Sequence, residues 1–456
     1  MKSFDFNGAP IGAVAILLAL FSSVGGFIFG YDTGQISDFL VMPDFLVRFA
    51  SCTDRSDYTT CKFSNVRTGL IVSMLSIGTA VGALIGANIA DRLGRRKAIS
   101  IDCIVVSIGT IIQVCSFHSW EQLMVGRIIT GLGIGALSAV VPLYQSETAP
   151  KEIRGSLVAT YQLFITFGIL IAYCISIGTR NASSGGASWR IVCSLNILWS
   201  LILGVGITFA PESPRWLMAN GREPEAEAAL AKIRGVEVSD NDVSVRQSYV
   251  EMEEAVQHEK SLVKATWFDC FRVENKTLYR TQGDFHNLNS CADKRMSQFG
   301  GIYILERFGR CKPLIIGGIW QSAWLFVFAA AGTAKDPTTS KGIGTLQIVS
   351  ACLFIAGYAS SWAPCIWILV GETFPTRTRA KQGALATSAN WTWNFLIGID
   401  VHKSPSLFTF LTSDSREDFN KAIEAEKKNL AMGMKSVQHR ELAEEDDAHQ
   451  AGRKLQ

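Results

Sequence analysis

Runs of about 20 consecutive apolar residues recur along this chain, and each is long enough to cross the hydrocarbon core of a bilayer as a helix. The run that constrains the fold most is Gly126–Gly155, GRIITGLGIGALSAVVPLYQSETAPKEIRG. It is apolar all round and has similar neighbours, so it cannot be a soluble core helix with one wet face. Arg127 stands at one end, and a polar run containing Glu147 and Arg154 closes the other. Gly131, Gly133 and Gly135 allow neighbouring helices to approach closely. The glycines are not a dinucleotide loop, because no strand–turn–helix context surrounds them.

The same pattern predicts spans at Ile11–Gly30, Thr68–Ala90, Ala98–Phe117, Ser156–Gly178, Arg190–Ala210, Pro313–Gly332 and Gly344–Val370. A further span begins at Gly383–Ile399 and breaks into Asp400, His402 and Lys403. The composition, 48% hydrophobic and 18% charged over 456 residues, is too apolar for an ordinary soluble protein of this size, while a net charge of +3 carries little information. No cleavable signal peptide is apparent. Cys103, Cys115, Cys174, Cys193 and Cys352 lie in apolar runs and read as small hydrophobes. Only Cys52 and Cys61 share a polar loop.

Several motifs resemble the sugar porter family of the major facilitator superfamily. They are the fourth-span signature with its Gly-Arg, Pro142-x-Tyr144-x-x-Glu147, Ala149-Pro150 and Arg154-Gly155 spacing; the Gly30-Tyr31-Asp32-Thr33-Gly34 end of the first span; the basic loop Asp91-Arg92-Leu93-Gly94-Arg95-Arg96-Lys97; Pro211-Glu212-Ser213-Pro214-Arg215; and Gly371-Glu372-x-x-Pro375-x-Arg377. The resemblance implies an all-α membrane protein of the major facilitator fold, with a complete N-terminal six-helix bundle and an incomplete C-terminal one. It also implies a cytoplasmic N-terminus, since the basic loop belongs inside. The expected organisation is a first bundle over 1–210, a cytoplasmic linker with an aberrant polar segment over 211–296, a partial second bundle over 297–399 and a charged tail over 400–456. The linker carries short amphipathic pieces such as Pro224–Arg234 and reads as a solvated spacer rather than a binding domain.

The chain departs from the family after Thr281. A seventh span should follow, but QGDFHNLNSCADKRM is polar and cannot cross a membrane. Residues 297–305 look like only the last turns of an eighth span, and no twelfth span is read after the eleventh.

Asp32 lies near the end of a membrane span, where a charged carboxylate is a functional candidate by default. Spans one and four run in opposite directions, which brings Asp32 and Arg127 to similar depth. The resemblance implies that Asp32 accepts a proton and Arg127 modulates it. Gln162, Trp367, Asn390 and Trp391 match the family's sugar contacts: amides both donate to and accept from hydroxyls, and an indole face packs on the C–H face of a pyranose. Trp320, Trp324, Trp362 and Trp393 have no such match and read as packing aromatics. Asp91, Arg95, Glu147, Arg154, Glu212, Arg215, Glu306, Arg310, Glu372 and Arg377 are expected to form a cytoplasmic gate of salt bridges. Cys52 and Cys61, in a loop on the oxidising side, are expected to pair, and the Asn181-Ala182-Ser183 sequon lies on that side too.

The expected function is uptake of a monosaccharide, a hexose, by proton symport with alternating access. The partners are the sugar, the proton and the bilayer, with no nucleic acid, and the chain is expected to be a monomer. No cofactor, metal or enzymatic chemistry is implied. The rival expectation is a sugar-porter-like protein that does not transport, either a sensor or an inactive truncated product.

Overall fold

A computed structural model describes residues 3–6, 9–52, 54, 60–117, 119–150, 153–180, 187–235, 243–261, 311–334, 341–363, 365 and 379–403. Helices dominate. The first span is two helices in line, α1 (Ala13–Ser22) and α2 (Val24–Phe39). A short helix α3 (Pro43–Phe49) follows, then α4 (Asn65–Leu93), α5 (Arg95–Val114), α6 (Trp120–Thr148), α7 (Arg154–Thr179) and α8 (Ala187–Gly206). After these come α9 (Pro214–Ala219), α10 (Glu223–Arg234) and α11 (Val243–Ser261). The second half contributes α12 (Cys311–Ala334), α13 (Lys341–Ser360) and α14 (Arg379–Lys403). Among the described residues eight helical stretches are long and apolar enough to cross a membrane, six before Ala210 and two after it.

Local sequence sets several of these boundaries. Ser64, Ser119 and Ser213 each accept a hydrogen bond from the backbone N–H three residues on, which caps the starts of α4, α6 and α9. Gly94 separates α4 from α5 with φ +97°, a conformation that a side chain would resist.

Close packing follows the glycines of α6. A Cβ on Gly131 or Gly135 would run into the α4 backbone at Leu75 and Thr79, whereas one on Gly133 would meet Asp102 and Val106 of α5. Alternate glycines of one short run thus seat α6 against two different helices. Around this seam lies an apolar core that includes Ile99, Val106, Ile134, Leu137, Val140 and Tyr144. A second cluster, at the far end of α2, gathers Phe39, Phe45, Phe49 and Trp189.

Three features depart from the sequence expectation. The described part of the linker is not a solvated spacer: α9, α10 and α11 bury Leu217, Met218, Ala226, Ala229 and Val256 together. Ile233 of α10 also joins the core beside Ala15 and Leu18 of the first span. The small residue Gly12 permits this approach, because a Cβ there would strike the carbonyls of Ile233 and Arg234. Second, the helix begun near Gly383 does not break at Asp400. Its backbone continues through Lys403, since one polar turn at a helix end is readily solvated. It is still not among the helices apolar enough to span. Third, both polar ends of the first span carry hairpins. Ser3–Phe6 pairs antiparallel with Ala9–Gly12, and Ser51–Cys52 with Cys61–Lys62.

Candidate functional site

Asp32 sits on α2 and Arg127 near the start of α6, and both are 0% exposed. Arg127 Nη1 stands 3.8 Å from Asp32 Oδ2. That separation is an ion-pair distance but too long for a hydrogen bond. Oδ1 of the same carboxylate accepts two: from Gln35 Nε2 at 2.8 Å, one turn along α2, and from Asn196 Nδ2 of α8 at 3.2 Å. Oδ2 accepts none, and the guanidinium nitrogens of Arg127 have no hydrogen-bond partner among the described residues. A buried carboxylate is thereby fixed by one oxygen and left open at the other. Sequence reasoning identified Asp32 and Arg127 but missed Gln35 and Asn196. The only sequence signal for Gln35 is its place three residues after Asp32, on the same helical face.

The helix that carries Asp32 also meets the second half of the chain. Phe29, one turn before Asp32, packs edge-on against Trp391 of α14, with ring centroids 4.9 Å apart. Trp391 is buried, its neighbour Asn390 exposed, and Gln162 of α7 half-buried. Trp367 lies outside the described residues.

At the opposite end of α4 and α6, charged residues converge. Arg95 Nε and Nη2 donate to the two oxygens of Glu147 at 2.9 and 3.0 Å. Such a bidentate fork is the strong form of an ion pair. Asp91 lies 3.3 Å from the same Nη2 of Arg95, and Ser213 Oγ donates to Glu147 at 2.6 Å. Glu212 plays a different part from the salt bridge expected of it. Its Oε1 accepts the backbone N–H groups of Arg95 at 2.9 Å and Arg96 at 3.1 Å. It therefore caps the start of α5, where orphan N–H groups and the helix dipole favour a carboxylate. Arg154 donates to the Ala149 carbonyl at 3.4 Å, and Arg215 is half-buried in α9. The C-terminal counterparts Glu306, Arg310, Glu372 and Arg377, and the Asn181 sequon, lie outside the described residues.

Cys52 and Cys61 face each other in the second hairpin and are joined by a disulfide.

A family model described as "Sugar (and other) transporter" matches residues 18–282 and 294–402, most of the chain. This chain is a sugar porter of the major facilitator superfamily. The match lapses over 283–293, inside the polar stretch where the family's seventh span is expected. The high-affinity glucose transporter ght2 of Schizosaccharomyces pombe is 40% identical over 418 residues, covering 84% of this chain and 78% of its own length. The high-affinity fructose transporter ght6 of the same yeast is 38% identical over 423 residues, with 84% and 78% coverage. Among solved structures, the proton:xylose symporter XylE, bound to 6-bromo-6-deoxy-D-glucose, superposes with a TM-score of 0.66 at 23% identity, covering 87% of this chain and 88% of its own. The superposition shows the shared fold. The porter is thus a multi-pass membrane protein of a transporter family rather than an enzyme.

Proposed function

We propose that this sugar porter is built to carry a hexose together with a proton, by alternating access around a site between its two halves. The observation that carries the reading is the Asp32–Arg127 pair, fully buried in a membrane-spanning bundle yet without a hydrogen bond between the two groups. Such a pair is poised between two states. Desolvation favours a neutral carboxyl, and the guanidinium favours a charged one. A movement that separates α2 from α6 tips the balance towards protonation, and one that closes them releases the proton. The sugar acts on the same helix, because Trp391 reaches α2 at Phe29, one turn from Asp32. Gln162, Trp367, Asn390 and Trp391 are its proposed contacts. The names of the yeast relatives support a hexose as cargo.

The Arg95–Glu147–Glu212 cluster then lies on the cytoplasmic side and locks that end shut, and the Cys52–Cys61 hairpin lies outside. The chain works as a monomer in the plasma membrane, with its first bundle over 1–210 and its second over 297–399 flanking the linker.

A second reading, a sugar-porter-like protein that does not transport, is favoured by one observation, the lapse of the family match over 283–293. Labelled-hexose uptake in a transporter-null host at two external pH values separates the readings. Concentrative uptake that rises at acid pH, and that Asp32→Asn reduces to downhill equilibration, supports symport. Uptake indifferent to pH and to Asp32→Asn replaces symport with facilitated diffusion. No uptake by a chain that reaches the membrane, even when complete seventh and eighth spans are supplied, supports the second reading.

A further inference from the structure

A carboxylate has two oxygens, and a proton goes to the one whose lone pairs are free. At Asp32 the two are unlike. Oδ1 is engaged by two amide donors from different helices, Gln35 of α2 at 2.8 Å and Asn196 of α8 at 3.2 Å. Oδ2 is unpartnered among the described residues and faces Arg127 Nη1 at 3.8 Å. Gln35 and Asn196 are themselves 0% exposed.

Among the described residues the titratable groups around Asp32 are few. From α6 there is Arg127, and from α8 Cys193, which lies within electrostatic reach of both Asp32 and Arg127. On α2 itself Tyr31 lies within electrostatic reach of Asp32 and donates to the Val192 carbonyl at 2.8 Å. From α7 comes Tyr161, packed against Gly26, nearly two turns along α2. α1 brings none.

We propose that Gln35 and Asn196 are positioning residues for proton binding: their amides clamp Oδ1 of Asp32 and direct the proton to Oδ2, on the Arg127 side. The inference rests on the symport reading and deepens it. The proton is then added where it breaks the attraction to Arg127, so protonation and separation of α2 from α6 become one event. The clamp also ties α8 into that event, since Asn196 must follow the carboxylate. Both donors stabilise the ionised form, so losing either makes protonation easier.

The test is an infrared titration of the purified chain in lipid nanodiscs. The Asp32 carboxyl C=O band is identified by its loss in Asp32→Asn. Gln35→Met and Asn196→Leu keep the side-chain volume and remove the donor. Each is expected to raise the pH midpoint of the Asp32 band by about one unit, and the double variant by more. The band should also change frequency, because the donors to Oδ1 are gone. Two single variants on different helices guard against a folding defect, and equal melting temperatures identify those that fold.

A midpoint unmoved in the folded single variants overturns the clamp, as does the absence of any titrating Asp32 band in the wild-type chain. The outcome does not depend on transport. Midpoints that move while hexose uptake ignores pH leave the clamp standing and remove symport. Uptake that follows pH while the midpoints stay put does the reverse.

Discussion

Removing one member of a buried ion pair leaves an uncompensated charge, which costs about 3–5 kcal/mol where the site is dry. Asp32 and Arg127 are such a pair, both 0% exposed. Arg127→Leu is therefore expected to lower the melting temperature in detergent clearly. The double variant Asp32→Asn/Arg127→Leu should regain most of the loss, because no charge remains to be stranded. Melting curves of the two singles and the double check this, and strictly additive losses would refute the pairing. The pair was legible in the sequence because it rests on span direction and spacing along two long helices. The partners of Oδ1 were not. Asn196 lies in α8, 164 residues from Asp32, and only the packing of α8 on α2 brings them together. A single polar residue in an apolar run has many structural uses, and nothing in its local sequence selects this one.

The join between α1 and α2 shows how side chains brace a helix break, where the Ala19 carbonyl keeps its backbone bond from the Ser23 N–H at 3.0 Å and gains others. The Ala19 carbonyl at that break accepts the Ser22 and Ser23 hydroxyls at 3.0 and 2.8 Å and Gln145 Nε2 of α6 at 2.9 Å. Gln145 also donates to Ser23 Oγ at 2.8 Å, and Ser23 meets Thr160 of α7 at 2.7 Å. Irregular backbone at membrane depth needs such partners, since lipid supplies none. Gln145→Leu is expected to cost about 1–3 kcal/mol of stability, read as a lower melting temperature, with no change in the pH dependence of Asp32. A shift in that dependence would place Gln145 in the proton site instead. At the other end of the bundle, Glu212→Ala should uncap α5 and cost about 1 kcal/mol. Glu212→Gln, which still accepts the N–H of Arg95 through its amide oxygen, should cost less. Equal losses would mean that the negative charge alone matters. Periodicity and apolar length placed the second, third, fifth and sixth spans closely, whereas the first runs on past Gly30 to Phe39 and the fourth begins at Trp120, before Gly126. The amphipathic piece Pro224–Arg234 was legible and is α10, but its burial was not. Only the mutual packing of the linker helices, around Met218 and Val256, reveals a buried layer.

For the whole molecule, the described residues furnish the two halves unequally. Six candidate spans precede Ala210, but only two follow among the described residues. The polar run Gln282–Met296 stands where the family continues into its seventh span, and the family match lapses there. This asymmetry bears on transport more than on the integrity of the first bundle. The glycine seam of α6, the Arg95–Glu147 fork and the Asp32 site all lie within that bundle and need no partner from the second half. Alternating access does need it, because rocking requires a second body on the other side of the sugar. Chain exposed to lipid without its helical neighbours leaves backbone polar groups unsatisfied, at several kcal/mol each. The porter with its present sequence is therefore expected to reach the membrane but to accumulate little hexose. Replacing residues 275–310 by a sugar-porter segment that supplies complete seventh and eighth spans should raise uptake on the order of tenfold or more. In that chimaera Asp32→Asn should abolish accumulation against a gradient while leaving downhill exchange, since the neutral amide cannot cycle a proton. Robust concentrative uptake by the unaltered chain would show that its second half is sufficient as it stands. A chimaera no better than the parent, at equal surface expression, would move the defect elsewhere in the chain.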